Sequence, residues 1–253
     1  MKVTFLGTGT SKGVPEIGCG CRVCRSDNEK DRRLRSSVLI ETKGKRILID
    51  ATPDFREQMM GVPFEKIDGV LITHEHYDHV GGLDDMRPFE QFGDIDIYVE
   101  GNVGDALRRR IPYCFTPSGY GGVPKLQLKE IDCTAFEVEG IEVVPIRVYH
   151  HRLPILGYRI GGFAYLTDVK TITDEELDKL MGLDVLVVSA LQRREHISHQ
   201  TLDQAVALID RVAPRRAYLT HLSHNMGLHE VVEGELACGI RVAYDGLELI
   251  ING

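Results

Sequence analysis

Four short apolar runs, far apart along the chain, each end in a side chain able to bind a metal ion. Leu71-Ile72-Thr73 leads into His74, and Ile146-Arg147-Val148-Tyr149 leads into His150. Ala164-Tyr165-Leu166-Thr167 leads into Asp168, and Ala217-Tyr218-Leu219-Thr220 leads into His221. Sites in α/β folds gather at the carboxyl ends of strands, because the strands are rigid and the loops that follow are free to vary. A chain written this way calls for a sheet architecture that lines those ends up along one edge.

The surrounding pattern supplies such sheets. Val38-Leu39-Ile40 and Arg46-Ile47-Leu48-Ile49 flank Lys43-Gly44-Lys45 and read as a hairpin. Val70-Leu71-Ile72 reads as a buried strand, Ile95-Asp96-Ile97-Tyr98-Val99 alternates, and Val144, Ile146 and Val148 are in phase within a strand from Ile141 to Tyr149. Gly157 to Leu166 carries two short strands around Gly161-Gly162. In the last third, Thr173 and Glu176 fit a capping box for a helix through about Met181. Val185-Leu186-Val187-Val188 is a buried strand; Leu202, Ala205, Val206, Ile209 and Val212 follow helical spacing, with Ser198 or Thr201 as cap and Pro214 as stop. Arg216-Ala217-Tyr218-Leu219-Thr220 closes a βαβ unit. The front reads as rich in antiparallel β, with helices between the later strands, and mixed sheets with helices outside them satisfy that order. No linker or repeat divides the chain, so one domain over residues 1–253 is expected.

Composition narrows the function. With 43% hydrophobic and 27% charged content over 253 residues, the chain can bury a substantial core. Thirty Lys and Arg against 38 Asp and Glu give a formal charge of −8, which argues against bulk nucleic-acid binding. The opening Met1-Lys2-Val3-Thr4-Phe5-Leu6-Gly7 is too short an apolar stretch for a signal peptide. No run approaches the roughly 20 apolar residues of a spanning helix. A cytoplasmic protein with no membrane association is the expectation, and its six cysteines then call for something other than disulfides.

His74-Glu75-His76-Tyr77-Asp78-His79 is the densest chemical signal. Two histidines two apart in extended chain point to the same side. Asp78 and His79 fall in a turn that should open a helix and face another way. Imidazole with carboxylate suits Zn²⁺, Mn²⁺ or Fe²⁺, and this many donors exceed what one tetrahedral site needs. Here the chain resembles the metallo-β-lactamase superfamily, whose H-x-H-x-D-H motif is matched by His74, His76, Asp78 and His79, with the later strand ends at its remaining ligand positions. The resemblance runs from Phe5-Leu6-Gly7-Thr8-Gly9-Thr10 to His221 and implies an α/β fold of the four-layer αββα sandwich type, with the site at one edge. It implies that His74, His76 and His150 hold one ion, that Asp78, His79 and His221 hold a second, and that Asp168 bridges them. His151 competes with His150, which is preferred because it continues the inward phase of its strand. Asp50, ending Ile47-Leu48-Ile49, either orients a ligand histidine through its other ring nitrogen or caps a turn.

Cys19-Gly20-Cys21-Arg22-Val23-Cys24 places three thiols within six residues, and a structural Zn²⁺ would need a fourth donor. Within the superfamily the chain is most similar to the PhnP-type phosphoribosyl cyclic phosphodiesterases, related to tRNase Z. That branch completes such a cluster with a His three residues after the last catalytic ligand, which here is His224. Cys114, Cys133 and Cys238 are isolated and are assigned only packing.

Two divalent ions sharing a hydroxide that bridges them suit in-line attack on a phosphodiester, with Asp78 and a general acid completing the catalytic set. By resemblance the acid is His199, in His199-Gln200-Thr201, with His196 as the alternative in the same loop. The expected cofactors are two Zn or Mn ions and one structural Zn. The expected partner is a small phosphodiester, a cyclic phosphate or nucleotide-like diester, with a homodimer left open. Hydrolysis of another ester or thioester, and tRNA 3′-processing, are the competing activities. The Gly-rich Thr116-Pro117-Ser118-Gly119-Tyr120-Gly121-Gly122 reads as a flap near the site or an ordinary surface loop. Arg108-Arg109-Arg110 reads as a solvated helix face in preference to a phosphate contact.

Overall fold

The computed structural model describes residues 1–115 and 122–251. The chain builds β1 (Lys2–Gly7), β2 (Ser37–Thr42), β3 (Lys45–Ile49), α1 (Phe55–Met60), β4 (Gly69–Leu71), α2 (Tyr77–Val80), β5 (Ile95–Val99), α3 (Gly101–Arg110) and β6 (Leu126–Glu130). It continues with β7 (Phe136–Val138), β8 (Ile141–His150), β9 (Leu153–Ile160), β10 (Phe163–Leu166), β11 (Thr171–Ile172), α4 (Asp174–Asp178) and β12 (Val185–Ser189). It ends with α5 (Leu202–Val212), β13 (Arg216–Thr220), α6 (His229–Glu235), β14 (Ile240–Val242) and β15 (Glu248–Ile250). One sheet has the order β15-β1-β2-β3-β4-β5-β6, and the other has β11-β8-β9-β10-β12-β13-β14 with β7 pairing to β8.

Three apolar clusters define four layers. Val3, Phe5, Ile40 and Ile49 of the first sheet pack on Tyr158, Tyr165, Val185 and Val187 of the second. Leu39, Leu48, Val70 and Ile97 face outward onto Phe55 of α1, the segment with Leu83 and Met86, and Val103 and Leu107 of α3. Ile146, Ile155, Leu186 and Val188 face outward onto Leu177 of α4, Ala205 and Ile209 of α5, and Val232 of α6. Period-2 alternation thus gives each strand two buried faces, one toward the partner sheet and one toward helices. This is the αββα sandwich of the metallo-β-lactamase type.

Local chemistry explains most element ends. Lys43 (φ 48°) and Gly44 (φ 73°) close the β2–β3 hairpin in the left-handed conformations that a two-residue loop demands. Thr201 and Gln204 form a complete capping box at the start of α5, which ends at Ala213 in the left-handed region before Pro214. Two expectations need correction. Thr173 precedes α4 but makes no capping bond, because the Glu176 carboxylate instead accepts from the Arg147 N–H and pairs with Lys179; the helix stops at Asp178. The front is also less antiparallel than its pattern suggested: β3, β4, β5 and β6 run parallel, joined by crossovers that contain α1 and α3. The Gly-rich segment 116–121 lies outside the described residues. Among the described residues no helix is long and apolar enough to cross a membrane.

Candidate metal centre

The carboxyl ends of β3, β4, β8, β10 and β13 deliver Asp50, His74, His150, Asp168 and His221 to one edge of the sandwich. Asp50, Asp168 and His221 turn sharply there, with φ of 62°, 54° and 57°. Three of these donors follow a buried threonine: Thr73, Thr167 and Thr220 precede His74, Asp168 and His221. The Thr167 hydroxyl donates to Asp168 Oδ2 at 2.6 Å, and the Thr73 hydroxyl donates to Asp50 Oδ2 at 2.9 Å.

The donors converge. His79 Nε2 lies 3.2 Å from Oδ2 of both Asp78 and Asp168, and His221 Nε2 lies 3.3 Å from Asp168 Oδ2 and 3.6 Å from Asp78 Oδ2. His74 Nε2 and His76 Nδ1 are 2.9 Å apart, and the His76 ring centre is 5.2 Å from that of His150. Donor atoms close enough to share an ion form the sets His74, His79, Asp168; Asp78, His79, His221; and His150, Asp168, His199. Asp168 belongs to two of the three sets, and its Oδ2 lies 3.3 Å from His221 of the third. His76 belongs to none of these sets and reaches the cluster through His74, while His199 enters one; both differ from the expected division of ligands. His151 is exposed in the turn after β8 at φ 57°, whereas His150 Nδ1 faces the Ser198 carbonyl at 2.9 Å and the Asp168 carbonyl at 3.2 Å. The structure therefore turns His150, and not His151, into the cluster.

Electrostatics sort the groups into two classes. Burial lowers His74 well below the usual imidazole value, with His79 adding to the effect, and burial also lowers His76. Burial would lower His79 too, but Asp78, Asp50 and Asp168 outweigh it and raise that ring well above the usual value. Asp78 and Asp168 fall below the carboxylate range because neighbouring imidazoles, His79 for Asp78 and His221 for Asp168 foremost, outweigh the cost of burial. Ionised Asp78 and Asp168 thus sit near His74 and His76, which burial keeps neutral, and beside a His79 proton that a cation would displace.

Whether these residues fit metal ions is answered by their unmet bonds. His79 Nε2 and both ring nitrogens of His221 are buried without a hydrogen-bond partner, as is His199 Nδ1. An orphaned buried polar atom costs about 1–3 kcal/mol, and a divalent cation would remove that cost at several atoms together. Asp50 Oδ2 accepts from His79 Nδ1 at 2.7 Å and so aims Nε2 at the cluster. The donor set of imidazoles and carboxylates fits Zn²⁺, Mn²⁺ or Fe²⁺.

A second cluster forms beside it. Cys19, Cys21, Cys24 and His224 bring one donor atom each within ion-sharing distance, with His224 Nδ1 3.3 Å from Cys19 Sγ and 3.2 Å from Cys24 Sγ. Glu16 lies 3.6 Å from the other ring nitrogen of His224. All six cysteines are free thiols, and three thiols with one imidazole fit tetrahedral Zn²⁺. Cys114 is buried and Cys133 accepts from Arg147 at 3.0 Å, but Cys238 is exposed, so a packing role does not extend to it.

Some neighbours carried no sequence signal. Lys170 donates to the His199 carbonyl at 3.2 Å and to Gln204 Oε1 at 3.1 Å, and it pairs with Glu195. Only the position of Lys170, two residues past Asp168, pointed to it. The Thr before His74, Asp168 and His221 is a further regularity of the sequence.

A model of the beta-lactamase superfamily domain matches residues 45–222, well over half of the chain. The chain belongs to the beta-lactamase superfamily. Within it, a crystal structure of a diphosphatase from the PhnP family is 40% identical, superposes with a TM-score of 0.92, and shares 98% of this chain and 96% of its own. That similarity places the chain in the PhnP family. Zn²⁺-bound PqqB from Methylobacterium extorquens shares the fold at 20% identity and a TM-score of 0.80, over 99% of this chain and 100% of its own. An octanoyltransferase of Porphyromonas gingivalis is 47% identical over 255 residues, covering 100% of this chain but 52% of that protein. The chain therefore spans about half the length of that curated relative.

Proposed function

We propose that the chain hydrolyses phosphodiesters, with a small cyclic phosphate or nucleotide-like diester as substrate, using two divalent ions held by His74, His76, Asp78, His79, His150, Asp168 and His221. The placement of Asp168 carries this reading: its carboxylate faces His79 and His221 through one oxygen and His199 through the other, at 3.6 Å. Membership of the PhnP family, with a diphosphatase as a similar structure, supports phosphoryl chemistry. Divalent ions bound there would lower the pKa of water toward neutrality and hold phosphoryl oxygens.

The chain's own groups do the rest. Asp50 orients His79, and the Ser198 carbonyl orients His150. In the reaction the oxygen of water bonds to phosphorus, the ester P–O bond breaks, and its electron pair leaves on the alkoxide. His199, stacked 5.2 Å from His221 and 4.5 Å from the His150 ring, is the group placed to meet that oxygen. Burial, opposed by Asp168, pushes His199 down to about 3, so its ring is neutral at pH 7 and enters as a hydrogen-bond donor. Proton transfer then requires the ring to be charged first, which an arriving phosphate anion favours. His196 is 5.0 Å from His199, and its Nδ1 accepts from the Ser198 N–H, so it stands behind His199. Cys19, Cys21, Cys24 and His224 hold a structural zinc in this reading.

The test is a metal-replete preparation on bis(p-nitrophenyl) phosphate and a ribose cyclic phosphate. Turnover that chelation abolishes and Zn²⁺ or Mn²⁺ restores is expected; a fully metallated protein inert toward every phosphodiester overturns the reading. A second reading, hydrolysis of a carboxylic ester or thioester at the same centre, is favoured by the acyl-transfer name of the Porphyromonas gingivalis relative. A panel of ester, thioester and phosphodiester substrates on one preparation separates the two.

A further inference from the structure

Resting on the phosphodiesterase reading, we infer that Arg110 forms an anion subsite at the mouth of the metal centre, taking a second phosphoryl group of the substrate. Arg108, Arg109 and Arg110 occupy the last turn of α3, where cations complement the helix dipole. That general role accounts for Arg108, which pairs with Asp105 at 3.1 Å. It does not account for Arg110. The Arg110 guanidinium reaches out of its helix and donates to the backbone carbonyl of Glu75, the residue between His74 and His76. This contact fixes a cation one residue from two donors of the centre.

Its charge is unspent. Lys170 is paired with Glu195 and Arg193 with Glu235, whereas Arg110 makes no carboxylate contact among the described residues. One guanidinium N–H is committed to Glu75, and the planar group carries five such donors. The fork that remains suits bidentate contact with a phosphoryl group. A diester with one phosphate has nothing to place on Arg110 once that phosphate lies on the metal donors. A diphosphate diester has its second phosphoryl group one bridging oxygen away. Arg110 therefore separates substrates by the number of linked phosphoryl groups.

The experiment compares P1,P2-di(adenosine-5′) diphosphate with bis(p-nitrophenyl) phosphate in wild type, Arg110→Gln and Arg110→Lys. Arg110→Gln is expected to raise KM for the diphosphate about tenfold, with kcat little changed and with the one-phosphate substrate unaffected. Arg110→Lys should recover part of the loss. An equal change on both substrates, or none on either, overturns the subsite. If wild type turns over neither substrate, the phosphodiesterase reading falls. Calorimetric binding of the diphosphate to wild type and Arg110→Gln then still decides the subsite, with about tenfold weaker binding expected and equal binding overturning it. Arg110 is exposed, so both variants should keep the wild-type melting temperature.

Discussion

Nδ1 of His79 lies 2.7 Å from Oδ2 of Asp50, with both side chains fully buried. The Asp50 carboxylate also accepts from the backbone and hydroxyl of Thr73, the residue before His74. One carboxylate thus fixes the His79 tautomer and the approach of the strand that carries His74. Asp50→Ala should weaken metal binding about 10–100-fold and leave buried donors unpaired, at a cost of about 1–3 kcal/mol. Competition with a chromophoric chelator and thermal melting check both parts. Unchanged affinity would show that the pair only packs.

His199→Ala should reduce kcat by about 10²–10⁴-fold while the ions stay bound, since His199 serves the leaving oxygen in the proposed reaction. Lys170→Met tests how that ring is held. Losing the contacts of Lys170 to the His199 carbonyl, Gln204 and Glu195 should lower kcat with KM unchanged, less severely than His199→Ala. Lys170→Arg should restore part of it. Metal analysis beside steady-state kinetics makes the distinction, because loss of ions in either variant would point to a ligand role.

If the proposed structural zinc is present, Cys21→Ser should remove about one zinc per chain and lower the melting temperature, with any metal held by the His74 to His221 donors largely kept. Elemental analysis before and after is the measurement. Loss of all metal would mean that the two clusters are one cooperative unit, joined through the segment from His221 to His224.

A pH effect should come from Asp245. Burial pushes its carboxyl up to about 6, against contacts from Thr8, Leu34 and the buried Arg33. An unfolded aspartate titrates near 3.9, so between about pH 4 and 6 the folded chain binds more protons than the unfolded one. Stability therefore falls as pH rises through that window and levels off above it. Asp245→Asn should flatten this slope. Denaturant unfolding of chelator-treated wild type and variant at pH 4, 5, 6 and 7 reads it, and parallel slopes would refute the assignment.

The site was legible in the sequence because its donors are chemically rare and sit at fixed places: the His74 to His79 stretch, the Cys19 to Cys24 stretch, and strand ends that always face one edge. The fold class followed from period-2 runs and the α5 pattern, whose capping box at Thr201 is local. The parallel half of the front sheet was not legible. α1 has six residues, too few to print a helical period, and its stability comes from packing Phe55 under the sheet. The cap at Thr173 failed for a tertiary reason, since Glu176 found better partners in Arg147 and Lys179. Lys170 and Arg110 act through contacts between elements that no spacing records.

Asp50, Asp168 and His221 all occupy left-handed backbone, a region that disfavours side chains by roughly 1–2 kcal/mol and that glycine enters freely. These are the corners where the polypeptide would relax most if the functional group were deleted. At His221, whose ring nitrogens have no hydrogen-bond partner, selection for heat resistance alone should therefore favour glycine, so that the donor there survives only under continued demand for what it holds.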